Sequence, residues 1–217
     1  MPKFYDISPV ISAHTAVWPG DLPFSRENNL SIAQGHNIDL SAIHTTVHIG
    51  AHADAPSHTG ADEHSIEKVS LEPYWGLCQV VQVSLKDPLI TVKELKGKVG
   101  EGSPQRILVG TGSFPDPNFF NEDFHAFDPE TVDWLGKRGV RLIGIDTPSF
   151  DPFTSKTLPA HEMLRRHKIA NLEGLILRDV PEGIYELSAI PLAIKDSDAS
   201  PVRAVLRTTS QVEHRFC

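Results

Sequence analysis

The sequence predicts an α/β chain whose sheet mixes parallel and antiparallel strands. Five runs rich in β-branched and apolar residues alternate with short helix signals, and strand character gathers at the opening and the close of the chain. Interleaved strands and helices give an α/β fold, while strands at both ends suit a mixed sheet better than a purely parallel one.

In chain order, LCQVVQVSL (77–85) reads as a strand from its β-branched content. Thr91 and Glu94 then stand at capping-box spacing and open a short helix. RILVG (106–110) is the next strand, and SFPDPNFFNEDFHAFDP (113–129), broken by prolines, is a long loop that must pack its phenylalanines somewhere. Asp128 before Pro129 marks a helix start, which Lys137, Arg138 and Gly139 end with a basic last turn and a glycine stop. RLIGI (141–145) is a strand, a helix follows around residues 159–167, and GLILRDV (174–180) and PVRAVLRT (201–208) complete the strands.

Length and charge restrict the function. A chain of 217 residues with 40% hydrophobic content fits one globular domain over residues 1–217. The formal net charge of -8, with no Lys/Arg cluster, argues against nucleic-acid binding, which needs a dense basic surface. A small molecule or a protein is the expected partner. The opening MPKFYDISPVIS lacks the apolar stretch of a signal peptide, and no run approaches the roughly 18 apolar residues of a membrane span, so a cytoplasmic setting is expected. Cys78 and Cys217 are too few for a disulfide framework, and Cys78 reads as a small buried hydrophobe.

The densest chemistry lies in HIGAHADAPSH (48–58), with three imidazoles and a carboxylate. Thr45, Thr46, Val47 and Ile49 favour a strand, and Pro56 keeps Ala55 extended. Period-two alternation then puts His44, Thr46, His48, Gly50, His52 and Asp54 on one face. Such a face is either a histidine-rich solvated edge or a metal site. Imidazole and carboxylate together suit Zn, Mn or Fe, and Gly50 leaves room for an ion. Other chemistries fit less well: G-x-S-x-G and H-E-x-x-H are absent, and Gly110-Thr111-Gly112-Ser113 completes neither a dinucleotide loop nor a P-loop.

The motif H-x-G-A-H-x-D-A-P-x-H resembles that of the cyclase-like metal-dependent hydrolases, and within them the bacterial kynurenine formamidases (arylformamidases). YDISPVIS (5–12), VWPGD (17–21), GIDTPSFDP (144–152), SKTLPAH (155–161), NLEGLIL (171–177) and SPVRAVLR (200–207) share the resemblance in the same order, whereas residues 208–217 carry none. Ala51 stands where many relatives in the wider superfamily have threonine, which favours the formamidase branch.

The resemblance implies a swivelling β/β/α fold, a homodimer and two divalent metal ions per subunit, usually zinc. By the same resemblance His48, His52 and Asp54 hold one ion, His161 and Glu173 complete the second, Asp54 bridges the two, and Glu173 contacts both. On their own, His161 and Glu173 would read as surface polar residues. His58 is the implied proton donor and acceptor and Trp18 the residue facing the substrate ring, while His44, His64 and His167 receive no role. The implied reaction takes N-formyl-L-kynurenine to L-kynurenine and formate in tryptophan degradation; paired metals suit it by lowering the pKa of water and polarising the formyl oxygen. The alternatives are an isatin-hydrolase-like cyclic amide hydrolase with nearly the same ligands, and a non-catalytic metal-binding protein with a closed shell.

Overall fold

The computed structural model describes residues 1–209, so Cys217 lies outside the described residues. In chain order the strands are β1 (Phe4–Asp6), β2 (Ser25–Leu30), β3 (Leu40–His44), β4 (His52–Asp54), β5 (Trp75–Gln82), β6 (Leu89–Ile90), β7 (Arg106–Gly110), β8 (Ala126–Phe127), β9 (Leu142–Ile145), β10 (Ala170–Leu172), β11 (Gly183–Ser188), β12 (Ala199–Pro201) and β13 (Val205–Thr208). The α-helices are α1 (Val92–Lys96), α2 (Pro129–Gly136) and α3 (Pro159–His167).

Seven strands form the main sheet in the order β1-β13-β11-β5-β7-β9-β10. It is mixed, as the sequence predicts: β1, β13, β11 and β5 pair antiparallel, and β5, β7, β9 and β10 pair parallel. Alternation along the central strands serves two cores. Cys78, Val80, Leu108 and Leu142 face one, together with Ala51, Ala53, Ala55 and Leu175. Val81, Ile107, Val109, Ile143 and Ile145 face the other, against Val132 and Leu135 of α2 and Leu164 of α3. A β4–β12 layer therefore covers one face of the sheet and helices cover the opposite face. This is the layered α/β architecture expected. No helix of the described residues is long and apolar enough to cross a membrane.

Local signals behave as the sequence predicts where they are self-contained. Thr91 and Glu94 form the capping box of α1, and the Asp128 carboxylate accepts from the Glu130 N–H at 3.0 Å to start α2. The loop phenylalanines pack around Trp18, with Phe120 at 5.4 Å between ring centroids.

Three expectations are corrected. Residues 174–180 form no strand, because Gly174 takes φ +64 and turns the chain out of the sheet after β10. Leu175 and Leu177 are buried all the same, and the Ile176 N–H donates to the Ile7 carbonyl instead of joining a ladder. Residues 201–208 split into β12 and β13, which belong to different sheets. The continuous histidine strand is also broken: β3 ends at His44, residues 45–51 form no strand, with Gly50 at φ +59, and β4 takes up only His52–Asp54, so His48 sits on a bend. His44 lies outside the site at the end of β3, beside Glu27 on an exposed hairpin.

Candidate metal centre and active site

Backbone pairing brings distant donors together. His52 and Glu173 form an antiparallel bridge, with the His52 N–H donating to the Glu173 carbonyl at 3.2 Å and the Glu173 N–H returning to the His52 carbonyl at 3.0 Å. Glycine at 174 makes the close approach possible, since a Cβ there would lie 2.2 Å from the Gly50 carbonyl oxygen. From β4, Asp54 projects into the same volume, and α3 contributes His161 from its first turn.

Each carboxylate has two sides. Asp54 Oδ1 faces His48 Nδ1 at 3.0 Å and His52 Nε2 at 3.6 Å, whereas Oδ2 faces His161 Nε2 at 3.6 Å. Glu173 repeats the division, with Oε2 at 3.3 Å from His52 Nε2 and Oε1 at 3.2 Å from His161 Nε2. Both acids thus offer one oxygen to the His48–His52 side and one to the His161 side.

The separations suit atoms that share an ion. Donors about 2.0–2.1 Å from a tetrahedral zinc stand about 3.3 Å from one another. His52, Asp54, His161 and Glu173 are buried, yet among the described residues His52 Nε2, Asp54 Oδ1 and His161 Nε2 find no well-directed hydrogen-bond partner. Orphaned buried polar atoms are costly without a partner, and a divalent cation supplies one. The residues fit the metal.

Further contacts aim these donors. His52 Nδ1 lies 2.9 Å from the Gly50 carbonyl, which holds the proton on Nδ1 and leaves the Nε2 lone pair free. His161 Nδ1 lies 2.6 Å from the fully buried Asp151, with the same effect. Asn171 donates to Asp54 Oδ2 at 2.7 Å. His48 differs, its Nε2 lying 2.9 Å from Asp198 Oδ2 while Nδ1 faces the cluster.

Charge follows proximity. Burial opposes protonation of His48, but the Asp54 and Asp198 carboxylates outweigh it and raise the imidazole to about 9. His52 and His161 are likewise raised against their burial, His52 by Glu173 and Asp54 and His161 by Asp151, Asp54 and Glu173. Asp54 is held well below the usual carboxylate range despite burial, chiefly by His161 and His48, and Glu173 is lowered by His161 and His52 against burial and the charge of Asp54. The carboxylates thus demand positive charge, which protons or metal ions can meet; a metal displaces the protons.

A cavity of about 510 Å³ opens beside the donors, lined by His48, His52, His58, His161 and Glu173 on one side and by Trp18, Phe114 and Phe120 on the other. Trp18 is 36% exposed on this cavity, so it is no core tryptophan. His58 ends a short 3-10 turn begun by Pro56, and its Nδ1 lies 3.3 Å from Asp198 Oδ2. Nitrogens of His48 and His58 and an oxygen of Asp54 come within 4.8 Å of one another, so His58 stands at the edge of the cluster. Among the unassigned histidines, His64 is exposed, and His167 Nε2 contacts Asp133 at 2.8 Å, tying α3 to α2. The Cys78 thiol is buried and pushed up to about 12 by that burial, which excludes thiolate chemistry there.

Sequence reasoning missed Asp151, Asn171 and Asp198. Asp151 and Asn171 lie inside GIDTPSFDP and NLEGLIL, but nothing local marks them as partners of His161 and Asp54. Asp198 carries no periodic or motif signal at all.

A structural metal centre closes its shell around the ion, whereas these donors border a cavity with room for a small molecule, the arrangement of a catalytic metal site. The chain belongs to the cyclase family, whose model, described as "Putative cyclase", matches residues 5–152. The kynurenine formamidase of Bordetella pertussis is 46% identical over 207 residues, covering 95% of this chain and 99% of that protein. A solved structure of a "potential metal-dependent hydrolase with cyclase activity" superposes with a TM-score of 0.83 at 26% identity, covering 97% of this chain and all of the other. Isatin hydrolase A from Labrenzia aggregata superposes with a TM-score of 0.81 over 96% of this chain and 94% of that one, and at 23% identity the likeness concerns fold alone.

Proposed function

We propose that this chain hydrolyses N-formyl-L-kynurenine to L-kynurenine and formate, the arylformamidase step of tryptophan degradation in the cytoplasm, using two divalent metal ions, most simply zinc. His48, His52 and Asp54 would hold one ion and His161 and Glu173 the other, the two acids each having an oxygen on either side. The observation that carries this reading is the two-sided use of Asp54 and Glu173 beneath an aromatic cavity, in a chain 44–46% identical to curated kynurenine formamidases. Bound there, divalent metals supply water of lowered pKa and a Lewis acid for the formyl oxygen.

The chain's own residues do the rest. Trp18, with Phe114 and Phe120 on the same wall, receives the aryl ring. His58 Nε2 takes a proton from the attacking water and returns it to the amine nitrogen as the C–N bond breaks. The burial of His52, Asp54, His161 and Glu173 keeps their charges effective by limiting competing solvent.

A homodimer is part of the proposal. The β2–β3 hairpin exposes Ile32, Ile38, Leu40 and Ile43, and a two-stranded hairpin is marginal in water without a surface to pack on. A cyclic-amide substrate such as isatin is the second reading, isatin hydrolase A having the same fold. Rates on N-formyl-L-kynurenine and isatin, before and after chelation and metal restoration, test the proposal. Metal-dependent turnover that prefers the linear formamide is expected. Preference for isatin favours the second reading, and no turnover with full metal content returns the chain to a binding role.

A further inference from the structure

Asp198 uses one carboxylate oxygen for two imidazoles. Oδ2 lies 2.9 Å from His48 Nε2 and 3.3 Å from His58 Nδ1. This placement is built into the backbone. The Ala55 N–H donates to the Asp198 carbonyl at 2.8 Å, and the Ala55 carbonyl accepts from the His58 N–H at 3.0 Å, so one residue ties both to the end of β4. The β12–β4 ladder continues the attachment by pairing Ala199 with Asp54.

An imidazole held through Nδ1 by a carboxylate keeps its proton there and presents Nε2 elsewhere, the orienting logic of the aspartate in a Ser-His-Asp triad. For His58 the other nitrogen is then available to the cavity that its ring lines. The His48 contact serves a different end: Nε2 is engaged by Asp198, which leaves Nδ1 for the cluster.

We propose that Asp198 is the positioning residue of His58, fixing the tautomer and ring orientation with which it carries the proton from water to the leaving amine. The inference rests on the reading of His58 as proton carrier. Loss of Asp198 therefore costs proton transfer and leaves substrate binding alone. Its carboxylate is 51% exposed, so replacement leaves no buried cavity.

The test compares Asp198→Asn, Asp198→Ala, His58→Ala and the double variant His58→Ala/Asp198→Asn in the full metal-loaded chain. It reads kcat, KM and metal content on N-formyl-L-kynurenine and on formanilides of graded amine pKa. The Asp198 variants should lose about 10- to 10²-fold in kcat, part of the about 10²- to 10⁴-fold a general acid or base supplies. With metal in excess, which saturates any weakening passed through His48, KM and metal occupancy should match wild type, and the defect should shrink for amines of low pKa. The double variant should match His58→Ala. If His58→Ala is impaired but the two losses multiply, or if the kcat defect of the Asp198 variants disappears once excess metal restores full occupancy, Asp198 acts through His48 or the fold and the proposal is overturned. If His58→Ala keeps wild-type turnover, the reading of His58 falls first and this inference with it.

Discussion

The Asp151 carboxylate lies 2.6 Å from His161 Nδ1 and also accepts the backbone N–H groups of Ala160 and His161, at 2.9 and 3.0 Å. One buried acid thus starts α3 and aims the imidazole at the cluster. Its oxygens meet the unpaired amides of a helix N-terminus, where negative charge is stabilised.

Asp151→Asn should weaken metal binding about 10- to 100-fold, the usual consequence of removing the group behind a ligating histidine. Chelator competition measures it. Turnover should recover in excess metal, because every proposed ligand remains; unchanged metal affinity would reduce Asp151 to a helix cap.

His58→Ala should keep its metal, since His58 Nδ1 already has Asp198 as partner and the side chain is 31% exposed. The expected loss is about 10²- to 10⁴-fold in kcat. Metal analysis beside steady-state kinetics distinguishes proton transfer from ligation, which the closeness of His58 to His48 and Asp54 makes a pointed comparison.

Much of this site was legible because its signals were local. His52 and Asp54 share a parity that survives in β4, and the Pro56 bend sets His58 apart from the strand, as residue types and spacing suggest. The remainder depended on distance along the chain. Nothing in the sequence around Glu173 announces that its backbone pairs with His52, so the resemblance alone connected them. Parity fails at His44 because β3 ends there and residues 45–50 form no strand, with Gly50 at φ +59 just before β4. GLILRDV misled for a related reason: burial makes a run apolar whether or not it joins a ladder.

Gly174→Ala tests the approach of the two donor segments. The new methyl would meet the Gly50 carbonyl at 2.2 Å, on a backbone at φ +64 that disfavours any side chain. Left-handed strain and overpacking together should destabilise the fold by about 2–4 kcal/mol. Thermal or urea unfolding reads this, and a neutral effect would mean that β4 and residue 174 separate easily.

Trp18→Ala should raise KM about 2- to 12-fold, the equivalent of an aromatic contact worth about 0.5–1.5 kcal/mol, with a smaller change in kcat. Stacking on the ring binds ground and transition states alike. Trp18 also packs against Phe153 at 5.1 Å between centroids, so a pure kcat defect would assign it to holding the aromatic wall instead.

Anomalous scattering from crystals of the protein with its as-isolated metal tests the two-sided carboxylates most directly, because ion number, identity and ligands are read together. Two ions are expected: one among His48 Nδ1, His52 Nε2, Asp54 Oδ1 and Glu173 Oε2, the other among His161 Nε2, Asp54 Oδ2 and Glu173 Oε1. A single ion, or one that takes His58 as a ligand in place of His161, would contradict that expectation.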